Sequence, residues 1–224
     1  MNGKSESPAA WHGEKETGRL EAFSDGVFAF AITLLALDVK IPHVAGDLAT
    51  ATSTSLWVGL SNNWPNYLAF ATSFFSILIM WVHHHSVFRW VRRLDTTLLF
   101  TNGFLLMVVT VVPFPTAVAA EYFETPAASA ACAFYAGYFV LVAIAFCLML
   151  AAALRRPLRD PQIPEALVDR FCRSYRIGPF LYLSAVVGSY FSKWIGMGIC
   201  TALWIFWTAV VRDDTLPPSQ DSAI

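Results

Sequence analysis

Arg19-Leu20-Glu21-Ala22-Phe23-Ser24-Asp25-Gly26-Val27-Phe28-Ala29-Phe30-Ala31-Ile32-Thr33-Leu34-Leu35-Ala36-Leu37 reads as a membrane helix with an arginine and an aspartate where it enters the bilayer. On a helical wheel with Phe30 at zero and about 100° per residue, Phe23, Gly26, Phe30, Thr33, Leu34 and Leu37 share one stripe, and Ser24 and Asp25 fall well off it. The stripe is apolar except for one hydroxyl. A carboxylate near lipid is costly unless it finds a partner or water, so Asp25 is expected to face other helices of the same chain.

The rest of the chain fits that setting. Of 224 residues, 56% are apolar and only 14% charged, with 8 Trp and 18 Phe; ordinary soluble domains carry roughly 25% charge. A net charge of -1 gives no reason to invoke nucleic acid. Cys132, Cys147, Cys172 and Cys200 lack metal-type spacing and are expected to be buried thiols. Residues 1–18 are polar, without an apolar signal core, and read as a disordered cytoplasmic N-terminus. Residues 212–224 read as a cytoplasmic tail, and 19–211 as the membrane domain.

The expected fold class is an all-α integral membrane protein. Its predicted segments are Arg19–Ile41, stopped by Pro42, then Pro65–Val91, Thr96–Ala119 with Pro113 and Pro115 near its far end, Ala127–Leu154, Ile177–Phe191 and Trp194–Val211. Each approaches the roughly 20 residues of a spanning helix. The segment Arg155–Arg176 is charged, and its second half reads as an interfacial helix. Lys and Arg set orientation. One side holds every basic residue of the 15 except Lys40 and Lys193, which predicts both termini cytoplasmic and an even number of spans; six fits. The other side carries Asp38, Asp47, Glu121 and Glu124, an acidic vestibule or merely polar loops. Trp57, Trp64, Trp90 and Trp194 lie near helix ends as interfacial anchors. A single helix cannot enclose a water path, so a pore built on the first helix needs several copies around an axis.

Arg19-x-x-x-Phe23-Ser24-Asp25 resembles the opening signature of the transmembrane protein 175 family, the endosomal/lysosomal potassium channels. The likeness continues through Thr33 and Trp81-x-x-His84-His85, and runs from about Arg19 to Val211. It implies six helices per repeat, a homotetramer when each chain has one repeat, a central pore lined by the first helix, and passive cation conduction favouring potassium. It also puts Thr33 at the selectivity threonine, and Phe30, Leu34 and Leu37 at the hydrophobic constriction. Phe30 departs from the usual Ile or Leu there. The implied partners are further copies of this chain, membrane lipid and potassium ions, at the cell membrane. No cofactor is implied beyond the permeant ion.

Some readings stay open. Arg19 and Asp25 lie on different faces, so Asp25 is either part of an ion-attracting ring or an anchor that, with Ser24, fixes the first helix. Three consecutive histidines, His83 to His85, point about 100° apart and cannot converge on one metal from one chain. His84 or His85 is expected to bond Ser24, Asp25 or Asn102, with pH sensing as an alternative. Thr33 either bonds back to the carbonyl one turn earlier or lines an ion path. There is no Gly-rich filter loop, no voltage-sensor arginine repeat and no catalytic Ser or Cys motif, so an enzyme is not expected. The rivals are a proton conductor or secondary transporter using Asp25 and His83–His85 as a relay, and a membrane enzyme using those histidines.

Overall fold

The computed structural model describes residues 8–37, 39–41 and 52–215, with side chains from 16 to 210. Among these, nine helices follow one another and no named strand occurs: α1 (Pro8–Leu37), α2 (Ser53–Asn62), α3 (Trp64–Phe88), α4 (Thr96–Thr110), α5 (Pro113–Tyr122), α6 (Ala128–Ala153), α7 (Glu165–Arg176), α8 (Gly178–Phe191) and α9 (Lys193–Thr215). α6 sits at the centre, packed against α4, α5, α8 and α9, while α3 joins α1 to α5 and α9. The core is aromatic and small-residue rich: Phe28, Phe88, Tyr135, Phe139 and Phe171 are buried beside Ala31, Ala136 and Ala145. Outside it, large apolar side chains such as Phe100, Phe180, Phe191 and Ile205 stand exposed. A surface of that kind is what a bilayer, rather than water, would cover.

Five spans are long and apolar enough to cross a membrane: Glu16–Leu37, Trp64–Phe88, Thr96–Tyr122, Ala128–Ala153 and Lys193–Val210. α8, expected as a further span, has 14 residues, a rise of about 21 Å against a hydrocarbon core of about 30 Å. It is joined to α9 by Ser192 alone. A Cβ on Gly196 would stand 1.9 Å from Ser189 Oγ and 3.1 Å from Ala185 O, so the α8 and α9 backbones meet where only hydrogen fits.

Several boundaries differ from the sequence expectation. The first helix begins at Pro8, so no break marks residue 18; residues 1–7 and Pro42 lie outside the described residues, as do Asp38 and Asp47. The polar loop before the second span holds α2, started by Thr52, whose side chain accepts from Ser55 N in a reciprocal capping box. The predicted span Thr96–Ala119 is interrupted at Val111–Val112. Pro113 has no N–H to give, and the chain tightens into Val111 N→Val108 O and Val112 N→Val109 O turns. Tyr138 of α6 donates to Val108 O at 2.7 Å. α9 runs on to Thr215, past the expected start of the tail at 212, and 216–224 lie outside the described residues.

Charge sorts to the two ends. Where α3 and α6 end and α7 begins, Arg92 Nη2 meets Asp160 at 2.8 Å, Arg155 meets Asp95 at 2.6 Å, and Glu165 pairs with Arg156 and with the buried Arg159. The hydrogen bond from Gln162 N, then that from Arg92, holds the Asp160 carboxyl below the usual range, and the Arg159 hydrogen bond does the same for Glu165. At the other end Lys40 pairs with Glu121, and Lys193 lies 3.5 Å from Glu124. Two of the four acids expected at this end are therefore matched by lysines, and the other two, Asp38 and Asp47, lie outside the described residues. Trp64 stacks on Trp194 at the same end, with centroids 5.5 Å apart.

Candidate functional site

The sequence places Glu21, Ser24 and Asp25 one helical turn apart on α1, and Trp81, His84 and His85 likewise on α3. Where the two helices pack, these residues meet. Trp81 Nε1–H donates to Asp25 Oδ1 at 2.8 Å. His84 Nε2–H donates to Asn102 Oδ1 at 2.8 Å, Asn102 Nδ2–H donates to Ser24 Oγ at 3.0 Å, and Ser24 Oγ–H donates to Leu20 O at 2.9 Å. The donors run in one direction and end on a carbonyl of α1. That direction makes Nε2 the protonated nitrogen of His84 and leaves its buried Nδ1 bare, with no partner among the described residues. His84, Asn102 and Ser24 are each fully buried. His85 Nδ1 lies 2.6 Å from Glu21 Oε1 at the rim.

The third histidine goes elsewhere. His83 Nε2–H donates to Trp207 O at 3.1 Å, and its Nδ1 accepts from the Tyr175 hydroxyl. His83 thus ties α3 to α7 and α9, not to α1. The three histidines take three separate partners, and Asp25 takes Trp81, so a single relay through Asp25 and His83–His85 is not drawn by these bonds. Glu21 and Tyr175 were missing from the sequence reading. Glu21 has a signal in hindsight, being one turn before Ser24 and Asp25, whereas Tyr175 lies 92 residues from His83 and has none. A second buried polar cluster was also unforeseen: Ser73 Oγ lies 2.6 Å from Thr116 Oγ1 and 3.1 Å from the Tyr135 hydroxyl.

These bonds fix the rotation of α1. Ser24, Phe28, Ala31 and Leu35 face inward, and Phe28 lies against His84 with ring centroids 5.3 Å apart. The opposite stripe is left open: Phe23 is 63%, Phe30 57% and Leu37 80% exposed, with Gly26 and Thr33 between them. Leu34 is half-buried at the edge of this stripe, which is centred nearer Gly26, Ala29 and Thr33 than Phe30. Ile32 packs toward the core. Thr33 Oγ1–H donates to Phe30 O at 2.8 Å. Arg19 is exposed at the head of the stripe, one turn before Phe23.

Comparison with known proteins decides the family. A potassium channel of Chamaesiphon minutus is 47% identical over 194 residues, spanning 86% of this chain and 94% of its own. The chain belongs to the TMEM175 family. Residues 19–113 match the family described as endosomal/lysosomal potassium channel TMEM175. The crystal structure of a lysosomal potassium-selective channel TMEM175 homologue from Chamaesiphon minutus superposes with a TM-score of 0.77 at 45% identity, covering 88% of this chain and 98% of that one. The endosomal/lysosomal proton channel TMEM175 of Homo sapiens is 38% identical over 97 residues, 42% of this chain and 19% of its own. TMEM175 proteins are passive ion channels, and this membrane protein is accordingly a channel and not an enzyme.

Proposed function

We propose that this chain assembles as a homotetramer in the cell membrane and conducts potassium passively through a central pore lined by α1. The observation that carries the reading is the open stripe of α1, Phe23 to Leu37, held outward by the bonds of Ser24, Asp25 and Glu21 on the far side. Copies around an axis would turn Phe30, Leu34 and Leu37 into successive apolar rings, which exclude water and so oppose ions. Thr33 would supply the only side-chain oxygen among them. The similarity to a potassium channel over 194 residues supports potassium as the permeant ion. α8, steered by α7, would complete six crossings, and the basic loops would place both termini in the cytoplasm.

The test is potassium flux from liposomes at matched protein incorporation. Phe30→Ala and Leu34→Ala should raise basal flux several-fold, and Ile32→Ala should leave it unchanged while lowering thermal stability. Altered flux in the Ile32 variant with none in the other two would mean that α1 faces the wrong way. Saturable flux coupled to a second gradient would replace the channel reading with a transporter.

A further inference from the structure

α3 turns a second stripe away from α1. Ser76, Ile79, Met80 and His83 recur at helical spacing along a half-open cavity of about 50 Å³, walled also by Phe146 of α6 and Trp207 of α9. The seven steps from Ser76 to His83 carry it about 10 Å along the helix axis. Room for one water needs roughly 10–15 Å³ and two or more polar partners. The space is sufficient, but the wall is chiefly apolar, formed by Ile79, Met80, Val142 and Phe146, and the protons of His83, Tyr175 and Ser76 are already given to Trp207 O, His83 Nδ1 and Thr72 O. The cavity therefore suits an apolar occupant, at a depth where lipid tails are the apolar material at hand.

Its mouth is basic. Tyr175 reaches the cavity from the last turn of α7, which also carries Arg173 and Arg176. α7 is amphipathic: Val168, Phe171 and Tyr175 are buried, while Arg170, Arg173 and Arg176 are exposed together with one acid, Asp169. Among the described residues, Asp95 is engaged with Arg155, Asp160 with Arg92 and Glu165 with Arg156 and Arg159. Arg173 and Arg176 are thus exposed on the same last turn of α7 that brings Tyr175 to the apolar slot. We propose that this is a binding site for an anionic phospholipid, one acyl chain lying along α3 and the phosphate held by Arg173 and Arg176. The site lies on a different face from the α1 stripe, and its test does not depend on conduction.

The full chain, purified into micelles carrying equal phosphatidylglycerol and phosphatidylcholine, is delipidated stepwise, and retained lipid is counted by native mass spectrometry. Phosphatidylglycerol should be retained preferentially. R173Q with R176Q should cut that preference by about fivefold per arginine, the equivalent of ~1 kcal/mol each near a membrane surface. I79W, which fills the slot, should reduce retention of both lipids, with the mass of the assembly as the check on folding. Equal retention of the two lipids by the wild type, or an undiminished preference in the arginine variant, overturns the headgroup site. Unchanged retention in a folded I79W overturns the seat of the chain and, with it, the proposal.

Discussion

Thr33 gives its hydroxyl proton to Phe30 O, the backbone bond common for threonine in membrane helices. That bond does not compete with an ion role, because a cation is coordinated by oxygen lone pairs and the proton is the part that is spent. With the proton directed back along the helix, the lone pairs point away from α1, on its exposed side. Thr33→Val keeps the shape and removes the oxygen. It should weaken discrimination between potassium and sodium without lowering the melting temperature, read as a shift of the bi-ionic reversal potential toward zero. An unchanged reversal potential in a conducting variant would leave the backbone bond as the whole role of the hydroxyl. At this scale much of the site was legible. Ser24, Asp25, Trp81, His84 and Asn102 stand out because polar groups in apolar helices need partners. The partners of His83 were not legible: it was grouped with its neighbours only in the rival readings, and adjacent residues on a helix point about 100° apart and serve different faces.

At the scale of elements, α6 and the apolar half of α1 were legible because their apolar runs are long, whereas the polar start of α1 at Pro8 was not. α2 was not: its 10 residues include five polar ones, all at its ends, so it reads as loop until the cap at Thr52 is seen. The break between α4 and α5 was half legible. Pro113 announces a disturbance, but the partner that makes it tolerable, Tyr138, sits 30 residues from Val108. That hydroxyl supplies a second bond to a carbonyl otherwise served only by the 3.3 Å turn bond from Val111 N. Tyr138→Phe should therefore destabilise the protein by about 0.5–1.5 kcal/mol, toward the lower end because interhelical bonds in membranes average about 0.6. Thermal unfolding in detergent measures it, with Tyr190→Phe at an exposed position as the control. Equal melting temperatures for the two variants would show that the broken turn satisfies itself.

Across the whole molecule, charge and rigidity are divided between the ends. One end is cross-linked by arginine–carboxylate pairs between successive loops, the other by Lys40–Glu121, Lys193–Glu124 and stacked tryptophans. Between them α8, proposed above as the sixth crossing, is shorter than the five apolar spans, and its junction with α9 at Ser192 and Gly196 has a consequence for biosynthesis. A segment of 14 residues cannot hold itself across about 30 Å of hydrocarbon, and a one-residue link gives it nowhere to wait while α9 is made. The two helices are expected to leave the translocation machinery as a single hairpin, zipped at the glycine contact before either touches lipid alone. Gly196→Leu would prise that zipper open, and a glycosylation acceptor placed in the Phe191–Lys193 turn should then report failed delivery of the turn across the membrane, while the same acceptor in the unmutated chain is modified. Efficient modification of the Gly196→Leu chain would show that α8 and α9 enter one at a time.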